Sequence, residues 1–273
     1  MLKHALDTTY YLPMVKNQSI VKDTSISCNG VTSLNANTLK IIAIAIMLLD
    51  HFVVVFFPHS ILLRFFLRVP GRVVAPVICF LIAEGYYHTS NRKKYVLRLL
   101  ALAAISHYPF ILCFDYSIFP ATSVIWALAM GLIALTALKS KKIHLVLKLI
   151  VLAACCAAAY TANWNFVAVL WIVAFGLFHG NFKRQIIAFC MIGIVFHLLP
   201  VCLRFILSRV AYLHWYHIGI FLAIPLLALY NGKLGKKSKA MSWSFYVFYP
   251  AHMVLLYLLN KYTPLAEMLG GLF

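Results

Sequence analysis

The sequence predicts an all-α, polytopic transmembrane helical bundle of about nine spans, and three observations carry that prediction. Hydrophobic residues make up 64% of the 273 residues and charged residues 11%, against about 25% charged in ordinary globular domains. Apolar runs long enough for membrane helices recur from Leu39 to the C-terminus, with little polar sequence between them. The Lys and Arg residues behind the net charge of +18 sit in short clusters between those runs. Such clusters set membrane orientation, so a nucleic-acid partner is excluded. A β-barrel is excluded as well, because its ~10-residue alternating segments are absent.

Residues 1–38 are polar and mixed, Ser/Asn/Thr-rich from Thr32 to Thr38, with no apolar segment followed by a small-residue cleavage site. They read as a partly disordered cytoplasmic extension, followed by one membrane domain over 39–273. The first span, LKIIAIAIMLLDHFVVVFF at 39–57, reaches about 28 Å at ~1.5 Å per residue. Further spans are expected near 73–88, 95–114, 122–138, 143–160, 165–180, 185–207, 212–230 and 243–260. Ile61–Leu67 reads as a re-entrant or interfacial piece.

Charge selects the orientation. With the N-terminus inside, seventeen Lys and Arg residues fall on the inner side and six on the outer, a positive-inside bias. Arg64, Arg68 and Arg72 then stand on the outer side, where they either meet lipid phosphate or bind an anionic group or Asp50. Of the seven Cys residues only Cys28 lies outside the apolar segments, and no C-x-x-C pair occurs. They read as small packing residues, and no metal is expected.

Asp50 and His51 sit more than halfway along the first span. An acidic side chain at the bilayer centre costs about 2.5–3.5 kcal/mol on insertion scales, so it calls for a partner, a wet cavity or a chemical role. Adjacent helical residues point ~100° apart, so the two do not form a dyad with each other. The partners offered for Asp50 are Arg72, His252 or a substrate amine. His107, His197 and His252 fall at similar depth, the first two as packing residues. In the last span Pro250 frees the carbonyl near Tyr246 and gives His252 a local opening.

Glu84 and His88 share a face of the second span near its inner end, i and i+4. With Asn91, Arg92, Lys93 and Lys94 they suit a phosphorylated cytoplasmic ligand; otherwise the basic run is topogenic and Glu84 serves a helix-end ion pair. No P-loop, dinucleotide fingerprint, HExxH or G-x-S-x-G motif is present.

Three stretches resemble the TraX family. LKIIAIAIMLLDHFVVVFFP resembles its opening helix, which ends in Leu-x-Asp-His. GRVVAPVICFLIAEGYYHTSNRKKYVLRLLALAAIS, from Gly71, resembles its next segment, and FYPAHMVLLYLL, from Phe248, resembles its closing Tyr-Pro-x-His helix. Two positions depart from the pattern: Asn163 stands where an acidic residue is expected, and His107 where Glu or Gln is usual.

The resemblance implies a bacterial inner-membrane acyltransferase that uses acetyl-CoA as co-substrate. The acceptor would be an amine or hydroxyl on a pilin N-terminus, a glycan or a cell-wall polymer. It implies His51 as general base or transient acyl carrier, with His252 as the second choice. Asp50 would hold an acceptor ammonium or orient a histidine, and Arg72 would stabilise an oxyanion. CoA phosphates would dock near Arg92, Lys93 and Lys94. The residues alone leave two other readings open: a proton-coupled transporter, which calls for internal repeats that are not evident, and a non-catalytic membrane assembly subunit.

Overall fold

A helix that is apolar all round has to be buried all round, and α5 (Val124–Lys139) and α7 (Asn165–Leu177) are such helices. They pack on each other and on α3 (Val74–His88), and Leu128, Leu132, Trp171 and Phe175 have no exposed surface. The structure is a computed structural model that describes residues 33–57, 61–116, 121–208, 211–236 and 239–263. The predicted extension 1–38 therefore lies mostly outside the described residues.

Around this centre run α1 (Ala36–Phe56), α2 (Ile61–Gly71), α4 (Arg92–Phe114) and α6 (Leu145–Ala158). Then come α8 (Phe182–Gly193), a π-helical turn (Ile194–Leu198), α9 (Leu199–Ser208), a 3₁₀ stretch (Ala211–Leu222), α10 (Ala223–Ala228) and α11 (Lys239–Tyr262). Among the described residues β-structure is limited to two isolated bridges, Leu34 with Tyr230 and Thr122 with Ala162. The segment after α10 clasps the start of α1, where Leu34 N–H donates to Leu229 O at 2.8 Å and Ala36 N–H to Lys233 O at 2.9 Å.

The all-helical prediction holds, and the predicted order of segments is found. The lengths differ from nine full crossings. Four described stretches are long and apolar enough to cross a bilayer: Ala36–Phe56, Phe65–His88, Arg92–Phe114 and Phe182–Leu207. At ~1.5 Å per residue, α5, α6 and α7 reach only about 24, 21 and 20 Å, short of a ~30 Å hydrocarbon core. The segment expected to begin at residue 73 starts earlier, because α2 runs on into α3 through the turn at Arg72 and Val73. The stretch read as re-entrant is thus helical. Apolar side chains crowd the outer faces of α6 and α9, with Ile206 71% and Leu207 84% exposed. Surfaces of that kind contact lipid.

Candidate functional site

The inward stripe of α1 is Leu39, Ala43, Met47, Asp50 and Val53, all buried. That 3–4 residue spacing carries Asp50 into the bundle with the apolar residues. Its carboxylate meets α2: Oδ1 lies 3.4 Å from Arg68 Nε and Oδ2 3.5 Å from Arg72 Nη2. Both guanidinium groups also lie over the ring of Tyr216, at 4.8 and 4.9 Å, and Arg72 lies 5.3 Å from the ring of Trp164. Two arginines against one carboxylate leave a local charge of +1 in a low-dielectric site, which favours an anionic or partly negative guest. Gly71 makes the approach possible, since a Cβ there would run into the Asp50 carboxylate.

His51 lies one position round the helix and faces α11. Its Nδ1 is 2.8 Å from His252 Nε2, the ring planes within 6° of each other and the centroids 5.1 Å apart. His252 Nδ1 is 2.8 Å from the carbonyl oxygen of Phe248. A carbonyl only accepts, so His252 carries its proton on Nδ1 and its bare Nε2 accepts from His51 Nδ1–H. Neutral His51 is thereby held in the tautomer that leaves Nε2 with a free lone pair. Phe114 packs against the His51 ring, edge-on at 5.3 Å.

A cavity of about 40 Å³ opens beside these groups, lined by Asp50, His51, Arg72, Asn163, Trp164 and Tyr249 among others. Of the two histidines, His51 lines it and His252 does not. Asn163, the departure from the family pattern, does line it, and His107 does not. His197 sits on the π-helical turn, stacked on His217 at 5.1 Å and edge-on to Trp164 at 5.3 Å. Arg64 belongs to α2, but its side chain lies outside the described residues.

The second carboxylate sits at the other end of α3. Glu84 Oε1 is 3.2 Å from His179 Nε2 and Oε2 is 3.7 Å from His88 Nε2, with Tyr230 in side-chain hydrogen-bond contact. Among the described residues its partners are therefore histidines and a tyrosine rather than a Lys or Arg. Glu84, His88, Lys40 and Tyr230 line a separate cavity of about 120 Å³. Arg92 lies 4.3 Å from the ring of Tyr86 and Lys139 5.7 Å from that of Tyr87, two further cations towards the end of α3 that carries Glu84. Asn91 caps α4, its Oδ1 accepting from Lys94 N–H at 2.8 Å. The first turn of α4 holds Arg92, Lys93 and Lys94 with no acidic residue, so helix dipole and side chains add to one positive field. No group of described residues could hold a metal ion.

The TraX protein family model matches residues 35–260. The chain belongs to the TraX family. The match covers both clusters and all the helices between them. This TraX chain is also 30% identical over 231 residues to the "Probable fimbrial assembly protein FimC, serogroup H1" of Dichelobacter nodosus, spanning 81% of this chain and 94% of that protein. No solved structure matches it. Family and helices together make it a bacterial membrane protein in contact with the lipid bilayer.

Reading the sequence singled out Asp50, His51, Arg72 and His252, which the fold brings together, and Glu84 with His88, which lie with His179 elsewhere. Arg68, read together with Arg64 and Arg72 as a partner for an anion or Asp50, does meet Asp50, and its i, i+4 spacing puts it on one face with Arg72. Trp164, Tyr216, His179 and Tyr230 were missed, and none carries a local signal.

Proposed function

We propose that this TraX-family chain is an acetyl-CoA-dependent acyltransferase of the bacterial inner membrane. In this reading its N-terminus lies in the cytoplasm, and it acetylates an amine or hydroxyl on a pilin-like or other envelope acceptor. The observation that carries the reading is the hydrogen-bond chain from His51 Nδ1–H to His252 and on to the Phe248 carbonyl. It leaves one oriented basic nitrogen, Nε2, on His51, a residue that lines a cavity together with the buried Arg72. A general base and an oxyanion-stabilising cation within one small cavity suit acyl transfer. The name of the fimbrial assembly relative supports a pilin-related acceptor.

The acceptor's nitrogen or oxygen attacks the thioester carbonyl, and its proton passes to His51 Nε2. The new C–N or C–O bond forms, the C–S bond breaks, and the proton leaves on the CoA sulfur. His252 orients the base. Arg72 faces the carbonyl oxygen as negative charge develops on it, and Asp50 holds Arg68 and Arg72 in position. The CoA phosphates bind at the basic end of α4, near Arg92, Lys93 and Lys94, with Glu84, His88 and Asn91 at its edge.

The test is CoA release from acetyl-CoA by the reconstituted protein, with and without a peptide bearing a free N-terminal amine. His51→Gln is expected to lower turnover by about 10²–10⁴-fold while acetyl-CoA binding stays unchanged. Normal turnover in that variant removes His51 as the base and leaves the class standing. Failure of the wild-type protein to bind acetyl-CoA at millimolar concentration sinks the acyltransferase reading and favours a transporter or an assembly subunit.

A further inference from the structure

The site cavity and the basic-end cavity approach each other inside the bundle. Among the described residues, two belong to both linings: Ile78 on α3 and Phe245 on α11. Ile78 lies six residues after Arg72 and six before Glu84, so about 9 Å from each along the helix. On α11 the neighbours of Phe245 divide: Tyr246 lines the basic-end cavity and Tyr249 the site cavity. A ligand arm entering beside Glu84 therefore meets these two side chains before it reaches His51.

The compartments also differ in size, about 120 Å³ on the basic side and about 40 Å³ on the His51 side. The compartment beside His51 is thus about a third the size of the one on the basic side, so it takes the smaller part of a ligand. The walls that a longer chain would press on, Met47 and Leu128, are buried at 5% and 0% exposure, and packed interiors resist added methylenes.

We propose that Ile78 and Phe245 form the partition that sets acyl-chain length: the thioester arm passes between them, and the space beyond accepts a two-carbon acyl group. The proposal rests on the acyltransferase reading and adds specificity determinants to it. Longer acyl-CoA thioesters bind on the basic side but do not seat their carbonyl beside His51 Nε2. Each methylene that a hydrophobic pocket must reject is worth about 10–200-fold.

The experiment uses the full chain in liposomes with acetyl-, propionyl- and butyryl-CoA, the same amine peptide as acceptor, and CoA release as readout. Binding of each thioester is measured in parallel. The wild type is expected to bind all three within about threefold and to transfer acetyl at least ~10-fold faster than butyryl. Ile78→Ala and Phe245→Ala should each raise the butyryl-to-acetyl transfer ratio by about 10-fold. Should an alanine variant fail to fold, Ile78→Val supplies the milder step, with an intermediate change in the ratio. Equal transfer of acetyl and butyryl by the wild type overturns the partition and leaves the acyltransferase reading intact. Folded variants with an unchanged ratio overturn it as well. No binding or turnover with any thioester removes the parent reading and the partition with it.

Discussion

Asp50 and Glu84 are each 8% exposed, lie on adjacent helices, and line neighbouring cavities. Their partners are of different chemical kinds. Asp50 faces two guanidinium groups, at 3.4 and 3.5 Å, and arginine stays charged at every accessible pH. Glu84 faces two imidazoles, at 3.2 and 3.7 Å, and a histidine is a cationic partner only when protonated. In the Asp50 cluster two guanidinium groups clamp one carboxylate where α1 packs on α2. The Glu84 cluster is a polar lining of imidazoles and a phenol. The first arrangement suits a site that must hold one geometry, and the second suits an entrance that ligands occupy and leave.

Removing Asp50 tests the contrast most severely. Asp50→Asn strands two guanidinium groups that share one carboxylate, and breaking a buried ion pair this way costs about 3–5 kcal/mol. The expected result is a large loss of thermal stability in detergent, read by the fraction surviving size-exclusion after heating. Adding Arg72→Leu to Asp50→Asn should restore part of it. Glu84→Gln is expected to cost about 1 kcal/mol, because an amide still hydrogen-bonds an imidazole or a phenol. Equal losses at the two carboxylates would erase the distinction between them.

Gly71→Ala strikes the same cluster through the backbone. A Cβ at this position meets the Asp50 carboxylate, so α1 and α2 must separate or the carboxylate must turn away from Arg68 and Arg72. Overpacking of this kind costs about 1–3 kcal/mol. Gly85→Ala is the matched control near Glu84, since its Cβ would meet the hydroxyl end of Tyr95, the tip of a long side chain that lines the basic-end cavity. Gly71→Ala should therefore lower both thermal stability and turnover more than Gly85→Ala does, and the reverse order would sink the close-approach argument.

The sequence displayed one cluster far better than the other, for a physical reason. An Asp and a His in the middle of an apolar run conflict with burial in lipid, so each stands out alone, and the Tyr-Pro-x-His helix does the same for His252. Their pairing was not legible. His51 and His252 are 201 positions apart, and helix geometry shows only that Asp50 and His51 diverge. Arg68 was legible through its spacing to Arg72. His179 and Tyr230 were not, because each lies at a helix end, where polar residues are ordinary. Span number suffered for a related reason: α5 and α7 are apolar enough to read as full crossings, but they are short helices buried by their neighbours. Hydropathy does not separate burial in protein from burial in lipid.

The smallest expected effect lies at the basic end of α4. Arg92, Lys93 and Lys94 occupy a first turn without acidic residues, and all three are exposed. Each charge near a helix N-terminus is worth about 0.3–1 kcal/mol and is screened by salt. Lys93→Gln should therefore weaken acetyl-CoA binding by about 2–5-fold at low ionic strength, with little effect at 1 M salt, where the Debye length falls to about 3 Å. Arg92→Gln should do slightly more, since its guanidinium is held over Tyr86 at 4.3 Å and loses less freedom when it meets a phosphate. Neither change should alter the acetyl-to-butyryl ratio, because the partition lies beyond the phosphate end of the ligand. A shift of that ratio by Lys93→Gln would mean that the two ends of the path are coupled rather than sequential.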